Sequence, residues 1–383
     1  MPSENSEIQA RVERLRSELR ARNLDLLLID DCEATAYYFN YEVSVSFYRA
    51  GFIPAEGEAF FVLRTVDVAP LSERASIKDI VGYPDWKDPV TAIAEKIRQR
   101  GYDRARIGID LTSHALTVQT FEALKRELPH VQFVDADGLP WKMRKLKSKA
   151  ELEKLRKGAA INDAVMQEIV TAAESGLTER EALRMVVEAT LRYGGDGTSP
   201  VVTVGKGWDF LHGHVHDTAL QKGDVLHLEL IPRVNGYTSR LIRCVVLGDI
   251  PPELDVLSRK MIELQDKQIV AMKPGAIAKD VDGIMRLGAL DSGIRQDYTN
   301  ITGYTVGYYS HRAMRASDFT WVFLPSSEWV LEEGMVFHMY TSAGGIAISD
   351  TVLVGPNGGE RLGKVERRLF SSNESARLAR NVA

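Results

Sequence analysis

The sequence predicts an α+β protein in two parts: a smaller α/β domain over residues 1–140, then a larger domain with a curved antiparallel sheet over 141–383. Three observations point there. A chain of 383 residues exceeds one ordinary domain of roughly 150. Its first third alternates strand-like and helix-like segments, the pattern of a small α/β unit. Beyond a basic, polar stretch at 142–149, the pattern changes to two capped helices and then short strands punctuated by glycine turns.

Each element has a local reason. Ile8, Val12, Leu15 and Leu19 recur at helical spacing within 7–22. LDLLLID (24–30) reads as a buried strand, an aromatic loop follows, and GEAFFVLR (57–64) is a second strand. A helix near 89–100 leads to a strand at 105–110, an amphipathic helix at 113–128 and a strand at 131–136. Ser148 with Glu151, and Thr178 with Glu181, are capping-box pairs that open helices. VVTVG, DVLHLELI, RLIRCVVLG, GMVFHMYT and AISDTVLVG are short strands, interrupted by helices at about 254–271 and 278–292. The tail after about 371 is expected to be loose.

Composition excludes several classes. Hydrophobic residues make up 44% and charged residues 26%, enough apolar material for a core. Lys plus Arg is 48 against 53 Asp plus Glu, so a nucleic-acid partner, which favours a basic stripe, is not expected. No apolar run approaches a membrane span, and the polar N-terminus lacks a signal-peptide layout. Cys32 and Cys244 alone make no disulfide framework. A cytoplasmic protein is expected.

The densest chemical feature is LHGHVHD, with His212, His214 and His216 at period two. On a strand they would share one face, which could suit zinc. No fourth ligand stands nearby, so the alternative is that one histidine works and the others face solvent.

KSKAELEKLRKGAAINDAV, HGHVHDTALQKGDVLHLELIPRVNGYTSRLIRC, ITGYTVGYYSH, LEEGMVFHMYT and SDTVLVGPNGGERL stand in the order and spacing of the pita-bread family, which they resemble. That family includes methionine aminopeptidases, prolidases and creatinase. The resemblance covers residues 7 to about 362 and implies a pita-bread catalytic domain behind a creatinase-type α/β domain. Metallopeptidases of the family hold two divalent metals on two Asp, one His and two Glu. Here those positions carry Glu229, Arg240, Tyr304, Tyr340 and Ser349, so the resemblance implies that the dinuclear site is lost. No metal or other cofactor is expected.

The resemblance to metal-free creatinase is closer in kind. His212 falls on its acid–base histidine and His311 on the family's second histidine. Within SFYR, Phe47 and Arg49 match residues that reach across a dimer interface to the substrate carboxylate, and Arg315 matches a further carboxylate contact. A homodimer binding a small carboxylate is therefore implied, since arginine grips a carboxylate bidentately. The two glutamates that cradle creatine's guanidinium are Ile242 and Tyr340 here, which argues against creatine itself. Strand parity groups Thr238, Arg240 and Ile242, brings His227 with Glu229, and brings His338 with Tyr340. Arg240 either pairs with Glu229 or holds an anionic group; Tyr304 and Tyr340 either donate to an intermediate or form walls.

The expected function is metal-independent hydrolysis of a C–N bond in a small carboxylate-bearing metabolite. The site would have His212, Glu229 and His311 as catalytic residues and Phe47, Arg49, Arg240, Tyr304, Arg315 and Tyr340 as substrate contacts. Alternatives are a metal-free lyase, isomerase or cyclisation enzyme, and a catalytically dead binding module.

Overall fold

In the computed structural model, which describes residues 4–42, 46–204, 209–309 and 317–373, the chain separates into two units between Lys145 and Leu146. His311 and Arg315 lie outside the described residues.

The N-terminal unit is built on a six-stranded sheet of β1 (Leu26–Ile29), β2 (Ala50–Pro54), β3 (Phe60–Arg64), β4 (Asp79–Tyr83), β5 (Arg106–Ile109) and β6 (Gln132–Asp135). Its spatial order is β4-β3-β2-β1-β5-β6, with β2 antiparallel to both neighbours and the other pairs parallel. Central β1 is covered on both faces, which is why its sequence is a continuous apolar run rather than an alternation. Leu27 and Ile29 pack with Leu15 and Leu19 of α1 (Glu4–Ala21). On the opposite face, Leu26 and Leu28 pack with Ile93 and Ile97 of the helix Pro89–Gln99.

The segment expected to be an aromatic loop contains a helix, α2 (Cys32–Phe39), and every residue of it is buried. Asp31 caps it by accepting from the amides of Glu33 and Ala34, and Asn40 ends it at φ 55°. A helix buried all round needs no polar face, so its sequence carries no amphipathic period to reveal it. The helix expected from 113 starts at Val118, where Thr117 supplies the cap.

The C-terminal unit opens with the helices Lys149–Ala172 and Glu179–Arg192, both with complete capping boxes. Its main sheet is curved and eight-stranded. The main path runs through β13 (Gly303–Thr305), β14 (Val336–Ala343), β15 (Ile346–Gly355), β12 (Leu241–Val246), β9 (Val225–Leu230) and β8 (Val201–Val204); β16 (Gly358–Arg361) flanks β15 and β17 (Phe370–Ser371) flanks β12. A small sheet of β7 (Gly197–Thr198), β10 (Pro232–Val234) and β11 (Tyr237–Thr238) adjoins it in sequence. Leu226, Leu228 and Leu230 of β9, with Leu241 and Val245 of β12, pack against Ile161, Val165 and Val186 of the two opening helices. The period of two then turns Glu229 and Ile242 to the other face.

Candidate active site

On that other face the ladder aligns one residue from each of five strands. Val201 pairs with Glu229, Glu229 with Ile242, Ile242 with Ser349, and Ser349 with Tyr340. Next to this row, Tyr304 pairs with His338. Four of the row's five residues, together with His212, Arg240, Tyr304 and His338, line a cavity of about 680 Å³. Its described lining residues belong to the C-terminal unit.

Glu229 and Arg240 are 7% and 6% exposed, and Arg240 Nη1 lies 3.8 Å from Glu229 Oε1. The same Nη1 donates to Tyr304 Oη at 2.5 Å. The guanidinium carbon stands 5.2 Å from the Tyr304 ring centre and 4.9 Å from that of Tyr309, so two π faces help to hold the cation. Its main chain is fixed as well: Thr351 Oγ1 accepts from Arg240 N at 2.7 Å and donates to Arg240 O at 2.9 Å. Tyr304 Oη also meets His338 Nδ1 at 2.8 Å, and His338 Nε2 meets Ser349 Oγ at 2.6 Å. A hydrogen-bonded chain thus links Arg240, Tyr304, His338 and Ser349.

Burial raises the Glu229 carboxyl above the ordinary range, and the positive charge of Arg240 and the proximity of His212 oppose it. Burial, with Arg240 as a second cause, holds the His338 imidazole well below its usual range, so it is neutral. The Tyr340 phenol is pushed up to about 12 by burial.

The three clustered histidines do not share a strand face. His212 ends a short 3-10 turn, Asp209–His212, and no described strand contains His214 or His216. His212 lines the cavity, whereas His216 Nδ1 lies 2.9 Å from Glu179 Oε2. Glu179, buried in the first turn of its helix, also accepts from the amides of Val204 (2.6 Å) and His216 (2.5 Å). One carboxylate therefore fastens the chain on both sides of the segment that carries His212.

Of the residues that strand parity groups with the site, His338 and Ile242 line the cavity, but Thr238 and His227 do not. Thr238 is fully buried, and the strand parity does not carry through to it, since β11 ends there and β12 starts only at Leu241. His227 is fully buried and meets Cys244 Sγ at 3.9 Å; burial pushes its imidazole down to about 3. Phe47 and Arg49 belong to the N-terminal unit. Phe47 lies under the Arg64 guanidinium at 4.5 Å, while Arg49 is 4% exposed and donates Nη1 to the Asp30 carbonyl at 2.9 Å. Tyr309, Phe319 and Asn300 also line the cavity and had no sequence signal beyond nearness to the GYTVGY segment. Phe319 stacks on Tyr304 with ring centres 4.4 Å apart.

Residues 153–356 match the metallopeptidase family M24, and residues 11–146 match the creatinase/prolidase N-terminal domain. The chain belongs to the metallopeptidase family M24. Its class is that of hydrolases acting on a C–N bond of a small substrate. It is 25% identical to ectoine hydrolase of Halomonas elongata, covering 97% of this chain and 98% of that one. It is 28% identical to an Xaa-Pro dipeptidase of Pyrococcus horikoshii, covering 65% of this chain and 71% of that protein. In three dimensions it resembles the prolidase of Thermococcus sibiricus, with a TM-score of 0.83 at 21% identity over 95% of this chain and 99% of the other.

The family name implies a metal, and the described donors of the cavity do not fit one. Among the described residues, no group of three or more His, Cys, Asp or Glu side chains converges as metal ligands would. Glu229 is the one carboxylate among the described lining residues, and beside it stands a guanidinium, which has only donors and a permanent charge. A hard divalent cation needs several converging oxygen or imidazole ligands.

No described helix is long and apolar enough to cross a membrane.

Proposed function

We propose that the protein is a metal-independent hydrolase of a C–N bond, such as an amidine or cyclic amide, in a small carboxylate-bearing metabolite. The observation that carries this reading is the Arg240 guanidinium, 3.8 Å from Glu229 and over the rings of Tyr304 and Tyr309. A fixed cation there offers charge stabilisation to an anionic group without metal coordination. The near full-length likeness to ectoine hydrolase is in keeping with it, since ectoine is a cyclic amidine carrying a carboxylate.

In this mechanism His212, on the cavity wall, takes a proton from water and returns one to the leaving nitrogen. Water's oxygen ends on the carbon, the proton that His212 removes passes to the leaving nitrogen so that the imidazole ends neutral, the second proton leaves with the products, and the C–N bond breaks. Glu229 acts either by orienting His212 or by attacking the carbon itself. Acid quench during turnover separates these roles, because only a nucleophilic Glu229 leaves the protein carrying the mass of the substrate fragment. His311 assists as a second acid–base group, and Arg315 contacts the substrate carboxylate.

Phe47 and Arg49 complete this clamp from a second copy of the chain, in a cytoplasmic homodimer. Arg49 Nε and Nη2 have no hydrogen-bond partner among the described residues, but both are buried in the single chain, so this role requires the side chain to turn outward. Arg49→Ala should raise KM by about tenfold or more, since a charge-assisted pair contributes about 1.5–3 kcal/mol. Unchanged KM and kcat would remove Arg49 from the site.

The test of the main reading is elemental analysis of untagged protein, with a screen of carboxylated amidines, cyclic amides and Xaa-Pro dipeptides in excess chelator. Turnover that survives chelation at well below a stoichiometric metal content supports it. Activity that requires a stoichiometric divalent metal overturns it.

A further inference from the structure

The cavity holds two phenols, and the hydrogen bonds around them differ in kind. Tyr304 Oη is engaged by Arg240 and His338. Tyr340 Oη has one hydrogen-bonding neighbour among the described residues, Asn300 Nδ2, at 3.2 Å. What fixes the sense of that contact is a residue further away. Arg295 Nη1 donates to Asn300 Oδ1 at 2.8 Å, and a guanidinium can only donate, so the amide oxygen must face Arg295. The amide nitrogen then faces Tyr340 and donates to it.

A phenol oxygen that accepts from a neighbour directs its own proton elsewhere. Among the described residues, no side chain or main-chain group takes the Tyr340 proton, and the residue lines the cavity that contains Glu229. Its ring is held by stacking on His338, with centres 5.6 Å apart and planes 21° apart. Burial pushes the phenol up to about 12, so the proton stays on at neutral pH.

We infer that Tyr340 is a catalytic hydrogen-bond donor aimed at the acceptor atom of the substrate's reacting group, with Asn300 and Arg295 as the positioning residues that aim it. The inference rests on reading the cavity as a hydrolase site. It also narrows the substrate, whose reacting carbon must carry an oxygen or nitrogen that gains electron density as the nucleophile adds. Tyr340 would then stabilise that atom while His212 moves protons.

Asn300→Asp gives the discriminating variant. It keeps the size and the Arg295 contact, but a carboxylate accepts, so it draws the Tyr340 proton away from the cavity. With a compound turned over by the wild type, Tyr340→Phe and Asn300→Asp should each lower kcat by about 10²-fold, the range for loss of one such donor, while KM changes little. A spacer role for Asn300 predicts full kcat for Asn300→Asp, and that result would overturn the inference. Neutron diffraction from deuterium-exchanged wild-type protein provides an independent test that needs no substrate. The expected map puts the Tyr340 deuteron on the cavity side and an Asn300 Nδ2 deuteron towards Tyr340 Oη. A Tyr340 deuteron pointing at Asn300 would overturn the assignment and leave the metal-free reading untouched, whereas metal-dependent turnover would sink that reading alone.

Discussion

Glu229 and Arg240 stand 3.8 Å apart, each more than nine-tenths buried. That is longer than a direct charge-assisted hydrogen bond of about 2.7–2.9 Å. The guanidinium is committed to Tyr304 instead, and its backbone is tied to Thr351, so the pair is adjacent without being closed.

Arg240→Leu should therefore destabilise the protein by about 3 kcal/mol, because it takes the nearer cation away from a buried carboxylate. The loss should grow as pH rises above the carboxylate range, since only the charged form of Glu229 is penalised. Adding Glu229→Gln should recover most of it. Urea titrations of the four proteins in a double-mutant cycle measure the coupling, and a value near zero would mean that the two charges act independently.

His212→Ala should lower kcat by about 10²–10⁴-fold and leave substrate binding measurable by calorimetry. The melting temperature should hardly change, because His212 is exposed in the single chain. A variant that binds and turns over normally would remove His212 from the chemistry.

Acid should destabilise the fold through its buried neutral histidines. His227 is pushed down to about 3, and His338 lies well below its ordinary range, both chiefly by burial. From about pH 6.5 downwards the unfolded chain binds protons at these sites and the folded chain does not. Their contribution is thus complete above about pH 6.5 and is lost as pH falls towards the folded values. Each histidine should give a slope of about 1.4 kcal/mol per pH unit. Urea midpoints between about pH 6.5 and 4.5 should fall less steeply for His227→Gln, and an unaltered slope would show that His227 is charged in the native state.

Glu179→Ala removes the acceptor shared by Val204, His216 and the His216 ring. Local opening should become easier by about 2 kcal/mol, close to 30-fold in hydrogen exchange at the Val204 and His216 amides. Exchange mass spectrometry reads this directly. Rates equal to wild type would place the anchoring of this segment elsewhere.

Much of this was legible in the sequence because it depends on local chemistry. Ser148 and Thr178 cap their helices as the spacing requires, and the apolar runs of β9, β12, β14 and β15 are strands. Glu229, Arg240, Tyr304 and Tyr340 converge on one cavity, as the family resemblance implied. Helix α2 was hidden by its lack of a polar face, and the placing of Thr238 away from the cavity by a parity that does not run across the gap between two strands. The Glu179–His216 contact and the Arg295–Asn300–Tyr340 series could not be read either. They join residues whose separation in sequence carries no period, so only the folded chain brings them together.

The ladder from Val201 through Glu229, Ile242 and Ser349 to Tyr340 has an evolutionary consequence. Each strand contributes a single side chain, while its main chain is bonded to neighbouring strands whatever that side chain is. Carboxylate, phenol, hydroxyl or alkyl can be exchanged at any one step without re-registering the sheet. Such a fold can pass from one reaction type to another through single substitutions, each intermediate keeping its backbone.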